Sequence, residues 1–214
     1  MTDEQPTSDF ARVRRLPARA AYDSDAVNAV LDAALVGHVG FVDEGRAVVI
    51  PMLFGRDGDR VFLHGSVASR LQRTLATGID VCLTATVVDG LVFARSAFHH
   101  SMNYRSVVLF GRATPLAHEQ KEHALRCIAE HLTAGRWDES RAPTDVELKQ
   151  TSVLELVVEH ASAKARTGGP VDDADDIDLP IWAGVVPIAQ SFGAPVTEGD
   201  SGLRAPSPAI VALR

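Results

Sequence analysis

Hydrophobic residues along this chain first follow a helical spacing and then fall into short, strand-like runs. Val27, Val30 and Leu31 recur at helical intervals after Asp23 and Ser24, either of which can be the N-cap, and Gly37 is a natural end for the predicted helix. The next apolar runs are short, rich in β-branched residues and separated by turn signals such as Glu44-Gly45, and they cover residues 39–42, 47–54 and 61–63. This pattern predicts one helix followed by a meander of strands.

The apolar run Ala47–Phe54 differs from the others because hydrophobic residues occupy both parities. We therefore expect both faces of this strand to be covered. Pro51 lies inside the run and cannot donate a hydrogen bond to a sheet, so it predicts an edge or a bulge. Backbone groups beside it would then be free to meet a ligand.

The rest of the chain adds strands, helices and a polar loop. We predict strands at 80–88 and 91–96 joined by a hairpin turn at Asp89-Gly90, strands at 104–113 and 153–159, a helix at 118–134 and a loop at 138–146. The first six strands of the chain, with flanking helices, predict a small β-barrel. From Ala163 the chain becomes acidic and rich in Gly and Pro, which predicts a surface loop leading to the apolar segment 181–188. The expected organisation is an arm over residues 1–20, one domain over 21–190 and a tail over 191–214.

Composition narrows the class of protein. The chain has 214 residues, 46% of them hydrophobic, and a net charge of −7, so it can bury one sizeable core and lacks the basic surface expected for nucleic-acid or membrane partners. Cys82 and Cys127 have neither a disulfide framework nor a zinc spacing. No signal peptide and no membrane-spanning run is evident, which predicts a cytoplasmic protein.

The stretch 61–75, VFLHGSVASRLQRTL, predicts a strand, a tight turn and the start of a helix with Ser66 as its N-cap. Arg70 and Arg73 fall in the first turns of that helix, where cations are unfavourable unless an anion is present. Ser66, Ser69 and Arg70 could therefore form a phosphate cradle. A capped surface helix with two solvated arginines is the alternative.

The eight histidines do not have the spacing of a metal site. His118, His123 and His131 share a predicted helix at offsets of five and eight, which does not reproduce a helical zinc pair, so we expect no metal ion there. A ligand contact and a purely structural role both remain open for His64 and for the His99-His100 pair. The chain also lacks the nucleophile elbow, the Walker loop and the Rossmann glycine motif.

Four segments in order, VVIPMLF, FLHGSVASRL, SMNYRSVVLFGRA and IWAGVVPI, resemble the pyridoxamine 5′-phosphate oxidase-like FMN-binding split-barrel superfamily. The resemblance is greatest to its flavin-nucleotide-binding, nitroimidazole-resistance-type branch. It implies a mainly β fold with flanking helices, a six-stranded antiparallel split β-barrel. It also implies a homodimer with FMN bound at the subunit interface.

The resemblance also implies which residues bind FMN. In family terms, one group would lie along the isoalloxazine edge, a second would contact the ring and ribityl chain, a third would hold the phosphate, and a fourth would come from the partner subunit. The isoalloxazine edge would be lined by Val49, Ile50, Pro51 and Met52, and the ring and ribityl chain would contact Leu63, His64, Gly65 and Ser66. The phosphate would be held by Ser69 and Arg70. The partner subunit would supply Asn103, Tyr104, Arg105 and Ser106, and Trp182 would pack near the flavin. We expect Arg105 to be the cation beside the N1–C2=O edge of the ring.

Two departures limit the activity that the resemblance implies. The tail SGLRAPSPAIVALR does not reproduce the Arg-Leu-x-Pro motif of the pyridoxamine phosphate oxidases, and SVASRL lacks their lysine at the flavin phosphate. We therefore expect an FMN-dependent oxidoreductase acting on a small organic substrate, with NAD(P)H as a candidate donor, and little vitamin oxidase activity. No residue is predicted as a catalytic acid or base. The alternatives are a flavin carrier or sensor without turnover, and a split barrel that binds F420 or haem.

Overall fold

The computed structural model describes residues 8–199 and 205–213, and this part of the chain is mainly β. Its strands are β1 (Ala20–Ala21), β2 (Gly37–Asp43), β3 (Arg46–Met52), β4 (Phe54–Asp57), β5 (Arg60–Ser66), β6 (Asp80–Phe93), β7 (Ser101–Pro115), β8 (Thr151–Arg166) and β9 (Gly184–Pro187). Its α-helices are α1 (Ser24–Ala33), α2 (Arg70–Leu75), α3 (His118–Leu132), α4 (Asp145–Gln150) and α5 (Pro208–Val211). None of these helices is long and apolar enough to cross a membrane.

The strands form one sheet in the order β3-β2-β6-β7-β8-β5-β4, and β1 and β9 add to β8 and β6. The pairs β1–β8, β2–β3, β4–β5, β5–β8 and β6–β9 are antiparallel. The predicted mainly β, antiparallel architecture is confirmed. The described residues contain nine strands rather than six because β1, β4 and β9 have only two to four residues, too few to show a hydrophobic period.

The predicted hairpin turn at Asp89-Gly90 is wrong, because β6 runs without a break from Asp80 to Phe93. Gly90 pairs with Pro187 of β9, and a Cβ at this glycine would lie 3.1 Å from the carbonyl oxygen of Val186. Asp89 accepts two hydrogen bonds from the Arg105 guanidinium. A turn dipeptide is therefore used inside a strand, where the glycine makes room for β9 and the aspartate holds an arginine.

Other boundaries also differ from those predicted. β8 extends to Arg166, beyond the predicted start of the surface loop, because Ala163 and Lys164 pair with β1. The predicted loop at 138–146 leads directly into α4, whose N-cap Thr144 forms a capping box with Glu147. That Thr-x-x-Glu signal is visible in the sequence. In the tail, Pro208 starts α5, because proline is tolerated in the first helical turn.

The chain divides into two compact units. The first contains the residues up to Ala34, Thr84–Leu109 and His160–Gln190; the second contains Leu35–Leu83, Phe110–Glu159 and the residues from Ser191. In the first unit, α1 has Asp23, one of the two predicted N-caps, as its cap; this side chain accepts a hydrogen bond from the Ala26 N–H, and the helix buries Val30 and Leu31. In the second unit, Phe62 packs with α3 residues in a core cluster that also contains Leu116, Ala124, Ile128 and Val153.

Candidate functional site

The β2–β3 hairpin has one apolar face that the described residues leave open. β3 is the last strand of the sheet at one end and contains Pro51 opposite His38, so the predicted edge position of Pro51 is confirmed. The open face carries His38, Val42, Ala47, Val49 and Pro51, and Val49 is 62% exposed. The expectation that both faces of this strand are covered is therefore wrong for the single chain. Its inner face is half-covered, with Val48, Ile50 and Met52 partly buried.

The turn from β5 to α2 departs from the predicted phosphate loop. Ser66 continues the strand and pairs with Thr151, so the helix begins only at Arg70 and the N-cap is Ser69, not Ser66. The Ser69 side chain makes no capping hydrogen bond, while the Ser66 hydroxyl accepts one from the Ala68 N–H at 3.2 Å. Pairing with β8 therefore places Ser66 in strand β5, although the local capping signal predicted that it would start the helix.

Both arginines of this turn already have protein partners. Arg70 forms an ion pair with Asp43 and lies 3.7 Å from a Glu44 carboxylate oxygen, both in the β2–β3 hairpin. Arg73 donates to the Ala68 carbonyl oxygen at 3.0 Å. Because the Arg70 side chain is 70% exposed and uses one terminal nitrogen for these carboxylates, its other N–H groups stay available to a ligand.

A cavity of about 450 Å³ lies between the β2–β3 hairpin and α2. Its lining combines an apolar floor with four charged side chains, and comprises Phe41, Asp43, Glu44, Arg46, Ala47, Val48, Ile50, Arg70, Leu71 and Thr74. Two of these, Ile50 and Arg70, are among the residues predicted to bind FMN. At its rim, Glu44 and Gly45 have φ values of 49° and 75°, the conformation of a tight primed hairpin turn, which for Glu44 is strained.

Two polar side chains near the end of β5 have no hydrogen-bond partner among the described residues. Burial lowers the pKa of His64, and no described group bonds its ring nitrogens. Gln72 of α2 is 2% exposed and both atoms of its amide lack a partner. A Cβ at Gly65 would lie 2.8 Å from the Gln72 amide nitrogen, so the strand needs glycine at this position. Nothing in the sequence points to Gln72, because glutamine is mostly a solvent-exposed residue type.

The predicted partner-side residues lie in the first unit, on β7. Arg105 donates to both oxygens of Asp89 at 2.8 and 3.0 Å, and this contact lowers the pKa of Asp89. Asn103 accepts from Arg166 and donates to the Gly168 carbonyl oxygen at 3.1 Å. The hydroxyl of Ser106 donates to the Lys164 carbonyl oxygen at 3.3 Å, and Tyr104 is half-buried. The positive charge of Arg105 is thus already offset by a carboxylate.

Trp182 is 65% exposed. Its ring packs against Phe93 with centroids 6.2 Å apart and lies over Gly184, where a Cβ would be 2.8 Å away. Apolar side chains on both sides of it are also exposed, among them Ile181 and Val186. This segment presents an apolar surface that the described residues do not cover.

The acidic loop, residues 167–180, is fixed by ion pairs in the first unit. Asp172 accepts from the backbone N–H of Arg95 at 2.6 Å and from its guanidinium at 2.7 Å. His99 lies 3.1 Å from an Asp173 carboxylate oxygen. The predicted surface loop is therefore a structured element, and His99 is used to anchor it.

The described residues contain no group of three or more His, Cys, Asp or Glu side chains arranged to hold a metal ion. On α3, His118 lies 3.0 Å from Asp145 and His123 lies 2.9 Å from Asp57, so both histidines have carboxylate partners. Burial is the main cause that raises the pKa of the Cys127 thiol, which lies 3.6 Å from His123.

The fold and site together define a split-barrel protein of antiparallel strands. The family model for pyridoxamine 5′-phosphate oxidase matches residues 23–165, and the chain belongs to this family. The resemblance found in the sequence is thereby confirmed.

Two solved structures are similar over almost the whole chain. The flavocytochrome Anf3 from Azotobacter vinelandii is 40% identical, with 97% of each chain covered and a TM-score of 0.89. The FAD and heme binding protein from Mycobacterium smegmatis is 35% identical over 91% of this chain and 97% of its own, with a TM-score of 0.87. A candidate 5-nitroimidazole antibiotic resistance protein from Bacteroides thetaiotaomicron shares the fold at 24% identity, 68% and 86% coverage and a TM-score of 0.58. No curated protein matches the chain.

Proposed function

We propose that this protein binds a flavin and a haem and transfers electrons between them. The support from comparison is the similarity to a flavocytochrome and to an FAD- and haem-binding protein, which in both cases extends well beyond the family domain at 23–165. The observation within this chain that carries the proposal is the state of His64. Haem iron needs a neutral imidazole nitrogen that no other group has taken.

His64 meets that requirement better than the other histidines. Its lowered pKa keeps the ring neutral at pH 7, and its nitrogens have no partner in the described part of the chain. The other histidines each have a different environment: His99, His118 and His123 face aspartates, His131 packs against Phe54 with tilted rings, His160 is engaged in another interaction, and His38 is exposed. The Nδ1 of His100 accepts from the Ala94 N–H, which leaves the proton on Nε2 in the neutral ring.

The flavin in this proposal is FAD. The sequence predicted FMN, and the relative that is 35% identical binds FAD. Under the proposal, the β3 backbone at Val49–Met52, the end of β5 apart from His64, and Ser69 with Arg70 hold the ring, the ribityl chain and the first phosphate. Arg70 keeps one bond to Asp43 and offers its remaining N–H groups.

A bound flavin accepts a pair of electrons from a hydride donor, and a haem iron takes electrons one at a time. The residues of this chain orient and tune these groups. His64 would hold the iron, and Arg70 would fix the phosphate. Because Arg105 is already neutralised by Asp89, its effect on the electron affinity of the ring is weaker than that of a free cation. The oxidoreductase activity predicted from sequence, with a small organic substrate and NAD(P)H as donor, belongs to the same proposal.

The active form in this proposal is a homodimer. Two apolar surfaces remain open in the described chain: the β2–β3 face with Val49, and the segment around Trp182. Asn103–Ser106 and Trp182 would be supplied by the second subunit. Light scattering of the cofactor-loaded protein should give twice the chain mass, and a loaded monomer would remove these residues from the site.

The experiment is to purify the protein, record its absorption spectrum, and measure the mass of every molecule released on denaturation. We expect a flavin spectrum together with a Soret band, and FAD and haem b as the released groups. Release of FMN would support the sequence prediction instead, and F420 alone or no cofactor would overturn the proposal. An NADH-driven assay under air then measures whether the flavin turns over.

A further inference from the structure

The cavity between the β2–β3 hairpin and α2 has more functional groups than one phosphate requires. Its charged side chains are two carboxylates, Asp43 and Glu44, and two guanidiniums, Arg46 and Arg70. Arg46 is exposed and has no ion-pair partner among the residues that the structure describes. A single flavin phosphate would use Arg70 and leave Arg46 and Glu44 without a role.

The floor of the cavity is apolar. Phe41 is 8% exposed, and Val48, Ile50 and Leu71 extend the same lining. Aromatic and aliphatic side chains of this kind form the face on which a nucleobase packs. The volume of about 450 Å³ lies within the usual range for pockets that bury a small organic ligand.

We propose that this cavity binds the adenosine diphosphate half of a dinucleotide. Arginine pairs with phosphate oxygens, so Arg70 and Arg46 suit the two phosphates in succession. A carboxylate accepts hydrogen bonds from a ribose diol, which suits Glu44. The apolar floor suits the adenine. The proposal rests on the proposed function where the dinucleotide is FAD; NADH contains the same half and is the other source.

The position of Glu44 supports a role for its carboxylate. Primed hairpin turns favour Asn or Gly at this position, and Glu44 holds a φ of 49° instead. Its side chain is 85% exposed and 3.7 Å from Arg70, so it can leave that arginine for a ligand at little cost.

The test compares affinities in the cofactor-free protein. FAD, FMN, ADP and NADH are titrated separately by calorimetry into the parent chain and into Glu44→Gln/Arg46→Gln, which leaves the net charge of the cavity unchanged. The matched control is Asp80→Asn/Arg112→Gln, which removes an exposed ion pair outside the cavity lining. Melting temperatures of all three proteins report on folding.

We expect the cavity variant to bind FAD and ADP about tenfold or more weakly, while FMN affinity changes by less than about twofold. ADP should displace FAD. If NADH rather than FAD competes with ADP, the cavity serves the nicotinamide donor, and the shared chemistry stands. Equal losses for FAD and FMN, or no binding of ADP to the parent chain, would overturn the assignment. Failure of the proposed function is distinguishable, because a chain that binds no flavin can still be tested with ADP.

Discussion

The two units of the chain differ in the hydrogen-bond and ion-pair partners of their polar side chains. In the first unit three arginines have protein partners: Arg95 is held by Asp172, Arg105 by Asp89, and Arg166 donates to Asn103 and to the Gly169 carbonyl oxygen. These contacts anchor the acidic loop and β7. They offset the charges of Arg95 and Arg105 without any ligand. The Nε of Arg95 alone among the nitrogens of these arginines is both buried and without a hydrogen-bond partner in the described part of the chain.

In the second unit, the end of β5 and the hairpin cavity leave polar groups unused. Among the residues that the structure describes, His64 and Gln72 lack hydrogen-bond partners and Arg46 lacks a counter-ion, and Glu44 is held in a strained turn. Native proteins rarely leave buried polar groups unpaired without a reason. The difference supports placing the proposed ligand site where polar side chains lack protein partners, and not where charged residues are most numerous.

The largest expected effect is on haem binding. His64→Ala should abolish the Soret band of the purified protein while leaving the flavin and the melting temperature of the ligand-free chain nearly unchanged, because this imidazole has no partner to lose. Absorption spectra and haem content per chain measure this. His38→Ala is the matched control, since His38 is exposed on β2. Loss of haem in the control instead would move the ligand to the open face of the hairpin.

The next effect concerns the flavin phosphate. Arg70→Ala should weaken flavin binding by about 1.5–3 kcal/mol, the usual contribution of a hydrogen bond to a charged group, with little change in unfolding free energy. Fluorescence titration and urea unfolding separate the two quantities. Arg73→Ala is the control, because Arg73 donates to the backbone of its own turn. A variant that binds flavin as well as the parent would show that the phosphate lies elsewhere.

A substitution at Gln72 tests whether its unpaired amide lowers the unfolding free energy of the protein. Gln72→Met keeps the length of the side chain and removes two unpaired buried atoms, so the ligand-free protein should gain about 1–2 kcal/mol of unfolding free energy. Urea denaturation measures it, with the exposed Gln150→Met as control. A loss of stability would mean that an ordered water satisfies the amide in the ligand-free protein.

Glu44 tests the strain in the hairpin turn. Glu44→Gly should raise the unfolding free energy by about 0.5–1 kcal/mol, because glycine adopts positive φ without a steric penalty. Glu44→Gln, which keeps a side chain at the same positive φ, serves as the comparison. Unchanged stability would indicate that the Arg70 contact offsets the strain.

The smallest effect is the pH dependence caused by His64. Its pKa in the folded chain lies below the unfolded value of about 6.5, so below that pH the unfolded chain binds a proton that the folded chain does not. The unfolding free energy of the ligand-free protein should therefore fall as the pH drops below about 6.5, and less steeply for His64→Gln. Above that pH the two proteins should run parallel. Urea unfolding at a series of pH values measures the slopes.

Hydrophobic periodicity predicted most of the fold. The α1 and α3 helices, the β2–β3 hairpin and the edge position of Pro51 each follow from local signals that tertiary structure does not oppose. The hairpin turn predicted at Asp89-Gly90 is wrong because the turn signal is local, whereas β9 and Arg105 contact this dipeptide from elsewhere in the chain. The prediction of Ser66 as the N-cap of α2 is wrong for the same reason, since pairing with Thr151 extends β5 to Ser66.

The candidate site was less predictable than the fold. Arg70 and Gly65 could be found from the turn signal, although the Asp43 partner of Arg70 could not. Gln72 and Arg46 can be recognised only in the folded structure, because the sequence does not show which polar groups lie within hydrogen-bond or ion-pair distance of them. The residues assigned from the family resemblance stay a prediction, to be tested by the variants above.

Pro51 has a further consequence for how the chain meets other proteins. It lies within the β2–β3 ladder opposite His38, so its missing N–H falls on the free edge of β3. A strand added to that edge would lose a hydrogen bond at the middle of the exposed apolar stretch that contains Val49. The proline therefore discourages strand addition and amyloid-like stacking at this surface, and any protein that covers it must pack against its face.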